Sequence, residues 1–214
     1  MRGETRRWAG ARRVCYAGRM NHSILLCGVG GQGILLAAKL IGAAAEASGF
    51  DVRANEIHGM AQRGGSVRAQ VKFGDDVRSP LILEGTADVI AAMEQIEALR
   101  WAHFLRPGGL AVVSLHAIVP VTVSSGRARY PDDVPERLSR VFPRLVADDC
   151  EARAAALGSP RLANTLLVGM LSRELPIAGD AWQGAIRRCV KPAFVEANLA
   201  AFEAGRAKGA GTAP

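Results

Sequence analysis

A short polar segment, EIHGMAQRGGSV at residues 56–67, carries side chains that can bind a charged group. Within eight residues it holds a carboxylate, an imidazole, a carboxamide and a guanidinium, on Glu56, His58, Gln62 and Arg63. An imidazole changes charge near neutral pH, and a guanidinium binds a carboxylate or phosphate through two parallel hydrogen bonds. No nucleophile stands beside an assured base here. The segment therefore predicts recognition of a charged ligand or partner.

Each of these residues also has a purely structural alternative. Glu56 can pair with Arg53 or Arg63, His58 can be a hydrogen-bonded core histidine, and Gln62 can simply be solvated, as can Arg63. For each residue taken singly, the structural alternative is a sufficient explanation. Taken together, before the turn predicted at Gly64-Gly65, the side chains favour a polar surface built for a charged group.

A glycine motif, GVGGQG at residues 28–33, lies between a predicted strand and a predicted helix. In that setting the start of the helix offers unpaired N–H groups and a partial positive charge to an anion. Dinucleotide sites also place an acid about 20 residues further on, and Glu56 follows Gly33 by 23 residues. The polar loop after Glu56 is too elaborate for a ribose contact alone. Binding of NAD or FAD, and tight strand–helix packing through the glycines, remain as alternatives.

The elements that position both motifs alternate between strands and helices. The predicted strands are 23–29, 52–57, 66–73, 88–93, 110–115 and 144–147. The predicted helices are 33–48, 95–105 ending at Pro107-Gly108-Gly109, one that starts after the turn at 130–133, 150–157, 161–175 and 181–205. The 66–73 strand alternates apolar and polar residues, which predicts one exposed face. This order predicts an α/β fold: a single open, mostly parallel, Rossmann-like sheet with flanking helices and a helical C-terminal third.

The composition is that of one globular domain, with 49% hydrophobic and 22% charged residues in a chain of 214. The net charge of +7 is concentrated at the start, where residues 1–19 carry six Arg and one Glu. A nucleic-acid-binding face would keep its charge without that terminus. We therefore expect no nucleic-acid partner, and no apolar run is long enough to span a membrane.

The sequence also predicts the domain boundaries and the cellular compartment. Met20 directly precedes the first strand, so we expect a disordered basic extension at 1–20, a domain at 21–206 and a flexible tail at 207–214. The four cysteines lie far apart, at 15, 27, 150 and 189, with no C-x-x-C pair. They predict neither a zinc site nor an iron–sulfur cluster in this chain, and they fit a reducing cytoplasm.

Three motifs together resemble one known family. GVGGQG, EIHGMAQRGGSV and SPLILEGTADV (79–89) are similar to the gamma-type domain of 2-oxoacid:ferredoxin oxidoreductases, and the loop HGMAQRGG is similar to their indolepyruvate type. EQIEALR (94–100), Pro107-Gly108-Gly109, Ala163-Asn164-Thr165 and VEANLAAFEAG (195–205) extend the resemblance over residues 21–205. The glycine motif alone is weak evidence, whereas its combination with HGMAQRGG is specific.

The resemblance implies a division of labour between two chains. A large partner subunit would carry thiamine diphosphate, Mg²⁺ and [4Fe–4S] clusters, with CoA as co-substrate and ferredoxin or a similar protein as electron acceptor. The complex would oxidatively decarboxylate arylpyruvates to acyl-CoA. This chain has no G-D-G followed at length by Asn, the usual diphosphate–magnesium signature, and its Gly-Asp steps are Gly74-Asp75 and Gly179-Asp180. Alone, it should be catalytically silent.

The resemblance also assigns candidate site residues. The loop facing the shared active site would comprise Gly28, Gly30, Gly31, Gln32 and Gly33, and the second loop Glu56, His58, Gln62, Arg63, Gly64 and Gly65. Asn164 is a further candidate, with a helix cap as its alternative. Whether the loops contact CoA, the substrate or only the partner stays open. A stand-alone nucleotide-binding module and a purely structural subunit are the other functions considered.

Overall fold

Six strands form one mixed sheet in the order β2-β3-β1-β4-β5-β6. The computed structural model describes residues 21–58, 64–127 and 129–208. The strands are β1 (Asn21–Val29), β2 (Asp51–His58), β3 (Ser66–Gly74), β4 (Ala87–Ala92), β5 (Leu105–Ser114) and β6 (Leu145–Asp148). The helices are α1 (Ile34–Ala47), α2 (Gln95–Arg100), α3 (Val121–Ser124), α4 (Val134–Val141), α5 (Cys150–Ala156), α6 (Ala163–Ser172), α7 (Gly179–Cys189) and α8 (Val195–Lys208). Short 3₁₀ turns occupy Ala102–Phe104, Pro160–Leu162 and Pro192–Phe194.

The predicted fold class is confirmed. β1, β4, β5 and β6 are parallel, whereas β3 runs antiparallel to β1 and to β2. The central strand β1 is apolar on both sides because helices cover both faces of the sheet. Its Ile24 and Leu26 belong to the larger core beneath α1, α5, α6, α7 and α8, and Leu25 and Cys27 to the smaller core beneath α2 and α4.

The single helix predicted at 181–205 is wrong. Two helices, α7 and α8, cover this stretch and are separated around Pro192. Proline has no N–H to donate and disfavours helical geometry in the residue before it. Lys191 accordingly has an extended backbone, with φ −59° and ψ 140°.

The helix predicted at 95–105 is too long, because α2 ends at Arg100 and β5 begins at Leu105. Pro107-Gly108-Gly109 does not end a helix. Ala87 pairs with Leu105 and Val89 with Leu110, so four residues of β5 lie opposite one residue of β4. Proline and glycine suit such an irregularity in a ladder.

One face of β3 was predicted to be exposed, and the structure covers it. Gln70 is only 3% exposed, and its Oε1 accepts a hydrogen bond of 3.1 Å from the Ile82 N–H. The guanidinium of Arg68, on the same face, stacks 4.3 Å above the ring of Trp101. The connection between β3 and β4 and the turn after α2 therefore cover the polar side chains of this strand.

The predicted domain boundaries and the absence of a membrane span can be compared with the described residues. Residues 1–20 and 209–214 lie outside the described residues, and α8 continues two residues into the predicted tail, to Lys208. Among the described helices, none is both long and apolar enough to cross a bilayer.

Two of the cysteines are expected to resist alkylation in the folded chain. Burial raises the pKa of Cys150 to about 12 and that of Cys27 well above its ordinary value. The thiolate, which is the reactive form, is then scarce at pH 8. Cys189 is only half-buried. Timed iodoacetamide labelling read by peptide mass spectrometry should modify Cys189 at least ~10-fold faster than Cys27 or Cys150, and urea should abolish the difference. Equal rates in the native chain would contradict this expectation.

Candidate functional site

Both sequence motifs lie at the same edge of the sheet. β1 ends at Val29, which pairs with Ser66, the first residue of β3. β2 ends at His58, which pairs with Val67 in the same strand. The antiparallel direction of β3 therefore brings the start of the glycine loop beside the hairpin connection that carries the polar segment. This is also the edge where the parallel strands end, the usual position of a site in an open α/β sheet.

Two main-chain hydrogen bonds join the motifs. The Gly30 N–H donates to the Gly65 carbonyl at 2.8 Å, and the Gly64 N–H donates to the Gly30 carbonyl at 3.5 Å. Gly64 has φ +73°, a conformation that residues with a Cβ rarely adopt. The described end of the polar segment, Gly64 and Gly65, thus lies directly against the first loop.

Close packing requires glycine at two positions of the first loop, Gly28 and Gly33. A Cβ on Gly28 would lie 2.8 Å from Oε1 of Gln32 and 2.9 Å from Cδ1 of Ile34. Gly33 has φ +80°, and a Cβ there would approach Nδ2 of Asn164 to under 3.0 Å. Gly31, at φ +107°, meets no neighbour, so its backbone conformation alone favours glycine.

Gln32 points into the protein rather than toward solvent. Its Oε1 accepts from the Val29 N–H at 2.8 Å, and its Nε2 donates to the Met93 carbonyl at 2.8 Å. Nε2 also donates to the carboxylate of Glu151 at 3.2 Å. The carboxamide therefore ties the glycine loop to the end of β4 and to α5.

Asn164 supports the loop from the helical layer. It is 4% exposed, and its Nδ2 donates to the Gly33 carbonyl at 3.2 Å. Its Oδ1 accepts the N–H of Thr165 at 2.8 Å. Asn164 is the second residue of α6, and Leu162 holds the cap position, so the helix-cap alternative is wrong.

The hairpin loop is anchored by a buried carboxylate. Glu97, 5% exposed, accepts hydrogen bonds from the Ser66 hydroxyl, from Nε of Arg100 at 2.9 Å and from Nε1 of Trp101 at 3.1 Å. Ser66 directly follows the glycine pair. Glu97 therefore fixes the point at which the polar segment enters β3.

Removing this anchor should be costly. Glu97→Ala removes the acceptor of all three donors. The Arg100 guanidinium, 56% exposed, can turn to water, whereas the Ser66 hydroxyl and the Trp101 indole are part-buried. We expect the free energy of unfolding to fall by ~1–3 kcal/mol. Urea unfolding measures the change, and Glu136→Ala, an exposed first-turn position of α4, is the control. Equal stabilities of the two variants would show that Glu97 does not anchor the polar segment.

A cleft of about 410 Å³ opens beside the joined loops. It is lined by Val29, Gly30, Gly31, Gly33, Ile34, Leu35 and Val67. The walls are aliphatic side chains and glycine backbone, and Leu35 is 42% exposed at the surface. The cleft thus has an apolar wall and gives a ligand access to the start of α1.

The four polar candidates are only partly described. Glu56 is exposed on β2 opposite Ala69, and Arg53 forms an ion pair with Asp51 rather than with Glu56. His58 is the last residue of β2. Gln62 and Arg63 lie outside the described residues.

Several supporting residues were not among the candidates predicted from the sequence. Glu151 and Ser114 hydrogen-bond to each other at 2.8 Å although 37 residues separate them. Glu94, 2% exposed, accepts from the Ile96 N–H at 2.7 Å and from the Tyr130 hydroxyl at 2.8 Å. Burial, together with Glu94, raises the pKa of Tyr130 to about 12. An acid just before a helix is a capping signal and would have found Glu94, but no spacing predicts the other contacts.

One group among the described residues has ligand atoms close enough for a cation. Atoms of His116, Asp149 and Glu151 lie within 4.8 Å of one another. Asp149 already caps α5, accepting from the Ala152 N–H at 2.9 Å. Glu151 accepts from Ser114 and from Gln32. Both carboxylates therefore have structural roles, and we assign no metal to them.

Helices cover both faces of the sheet, and two joined loops at its carboxyl edge form the candidate site. Among the described residues, this site has no catalytic set of its own. Residues 23–208 match the family model described as pyruvate ferredoxin/flavodoxin oxidoreductase. The chain belongs to this family, and the resemblance predicted from the motifs is confirmed.

Comparison with individual proteins shows which members of the family the chain resembles. The chain is 42% identical over 189 residues to "Indolepyruvate oxidoreductase subunit IorB" of Thermococcus kodakarensis, covering 86% of this chain and 94% of the relative. It is 41% identical over 190 residues to the protein of the same name from Archaeoglobus fulgidus, covering 87% and 94%. The gamma subunit of the keto/oxoacid ferredoxin oxidoreductase from Geobacter sulfurreducens has the same fold, with a TM-score of 0.66, 23% identity and coverage of 88% and 98%.

Proposed function

We propose that this chain is the small, gamma-type subunit of an indolepyruvate-type 2-oxoacid:ferredoxin oxidoreductase. The complex would oxidatively decarboxylate arylpyruvates to acyl-CoA and pass the electrons to ferredoxin or a similar acceptor. Near-full-length similarity to the archaeal subunits carries the proposal. The joined loops support it, because they form a wall that lacks a nucleophile–base pair among its described residues.

The redox groups fit a partner chain better than this one. Cys27 and Cys150 are buried in different cores, on opposite faces of the sheet, so they cannot bind one iron–sulfur cluster together. The sequence also lacks the diphosphate–magnesium signature. In the proposed complex the large subunit would hold thiamine diphosphate with Mg²⁺, which would supply the electron sink for decarboxylation, and the [4Fe–4S] clusters that would carry the electrons.

The residues of this chain would complete and shape the shared site. Gly28, Gly30, Gly31, Gln32, Gly33, Gly64, Gly65 and Asn164 would set the backbone that faces substrate or CoA. Glu56, His58, Gln62 and Arg63 would face the same space. Among them a guanidinium is suited to bind a 2-oxoacid carboxylate or a CoA phosphate. The aliphatic cleft beside the loops would present an apolar wall to that space.

Reconstitution tests the proposal. The chain alone should neither consume indolepyruvate nor bind thiamine diphosphate. Co-expression with the large subunit should yield CoA-dependent reduction of a viologen dye or ferredoxin in a cytoplasmic-type reducing buffer. Turnover by the lone chain would contradict the assigned division of labour.

The nucleotide-binding alternative is tested on the same preparation. Titration of the isolated chain with NAD(H), NADP(H) and FAD should show no binding at micromolar concentrations. Micromolar affinity in a protein that needs no partner would replace the proposed function with that of a stand-alone nucleotide-binding module.

A further inference from the structure

The orientation of the glycine loop depends on the single carboxamide of Gln32. Both hydrogens of its Nε2 have acceptors, the Met93 carbonyl and the Glu151 carboxylate, and its Oε1 has a donor, the Val29 N–H. A carboxamide engaged on every side in this way has one orientation. The positions of the groups that Gln32 contacts therefore fix the position of the loop.

Glu151 is the charged member of this set. It is the second residue of α5 and is half-buried. One of its oxygens accepts from Gln32, and the other accepts from the Ser114 hydroxyl at 2.8 Å. Ser114 is fully buried, and its oxygen accepts the N–H groups of Cys150 at 3.3 Å and His116 at 3.4 Å. The chain of contacts thus runs from the end of β5 through Glu151 to the glycine loop.

We propose that Glu151 is a positioning residue for the glycine loop, which it holds in place through the carboxamide of Gln32. That the loop faces an active site rests on the proposed function, whereas the positioning itself rests on these contacts. Glu151 lies outside every sequence motif and 119 residues from Gln32. The proposed role rests on its contacts with Gln32 and Ser114 alone.

The chemistry of the site requires a carboxylate at this position. Both neighbours, the Gln32 amide and the Ser114 hydroxyl, donate toward Glu151, so the residue must offer two acceptor oxygens. Glutamine has the same shape but one acceptor. In Glu151→Gln the new NH₂ group must face either the Nε2 of Gln32 or a serine oxygen that already accepts two N–H groups. One donor is left unpaired in either orientation.

Amide hydrogen exchange on the full chain tests the positioning without any partner. The Gly30 N–H, bonded to the Gly65 carbonyl, reports whether the two loops remain joined. We expect Glu151→Gln to speed exchange at Gly30 by about 10-fold or more, while amides in β4 and α6 keep their rates. Glu136→Gln, which removes the same charge from the first turn of α4, should change nothing. Unchanged exchange at Gly30, or equal acceleration throughout the chain, would overturn the proposal.

A double-mutant cycle shows whether Glu151 acts through Gln32. Gln32→Met removes the carboxamide and should loosen the loop to a similar degree. If the proposal is right, adding Glu151→Gln to Gln32→Met causes little further change in exchange at Gly30. Additive effects of the two substitutions would show that Glu151 acts by another route and would overturn the proposal.

Turnover then separates the two claims. In the co-expressed complex, Glu151→Gln should lower kcat/KM for the 2-oxoacid about 10-fold, with assembly intact and the Glu136→Gln complex unaffected. Full turnover in Glu151→Gln despite a loosened loop would refute the importance of positioning. If the unaltered complex oxidises no 2-oxoacid, the proposed function fails, and hydrogen exchange still decides the role of Glu151.

Discussion

Replacement of Gly169 by alanine is expected to destabilise the chain by about 3 kcal/mol or more. Gly169 lies in α6 against α8, and a Cβ there would approach the Phe202 carbonyl oxygen to under 3.0 Å. The obstructing atom is main chain, which no side-chain rotation can move away. Gly205 in α8 is the reciprocal case, since its Cβ would meet the Leu166 carbonyl oxygen at similarly short range. Alanine at either position must separate the two helices.

Gly184 provides a matched control for this expectation. It also lies inside a helix, α7, but a Cβ there meets nothing within 4 Å. Gly184→Ala should therefore stabilise the chain by ~0.5–1 kcal/mol through helix propensity. Urea unfolding of the two variants and the unaltered chain measures both effects. A Gly169→Ala midpoint equal to that of Gly184→Ala would show that α6 and α8 do not pack as closely as the structure indicates.

The packing of α6 against α8 also bears on the site. Asn164, near the start of α6, donates to the Gly33 carbonyl. Thr165 beside it donates to Asn198 of α8 at 2.6 Å. A shift of α6 would thus reach the end of the glycine loop. We expect Gly169→Ala chains that still fold to assemble a less active complex.

Local patterns predicted the elements that carry the motifs. The apolar run of β1 followed by glycines specified a buried strand, a tight turn and a helix, and the structure extends that strand by two residues, to Asn21. Helix ends were less predictable. The break at Pro192 had a visible signal, whereas the irregularity at Pro107-Gly108-Gly109 depends on pairing with β4.

The supporting contacts of the site were beyond sequence reasoning. Gln32 was predicted as part of the loop that faces the shared site, but no spacing in the sequence predicts that its side chain bonds to Met93 and Glu151. Ser66 and Glu97 are 31 residues apart and meet only because β1 and β3 pair beside α2. Contacts of this kind depend on the sheet order, which no single motif encodes.

Arg63 carries the second large expected effect. A guanidinium that binds a carboxylate or phosphate through paired hydrogen bonds contributes mostly to orientation and charge neutralisation. If Arg63 faces the shared active site, Arg63→Ala should lower kcat/KM of the assembled complex about 100-fold, or ~2.7 kcal/mol. Arg53→Ala is the control, because Arg53 is exposed on β2 and paired with Asp51. It should leave turnover within about twofold.

The most direct test of the shared-site account is turnover per assembled complex for Arg63→Ala. The complex is co-expressed, its subunit ratio is established by size-exclusion chromatography with mass analysis, and arylpyruvate oxidation is measured on the assembled fraction alone. The account predicts intact assembly with turnover reduced about 100-fold. Weakened assembly with full turnover in the fraction that remains assembled would contradict it, and would make the polar segment a docking surface for the partner.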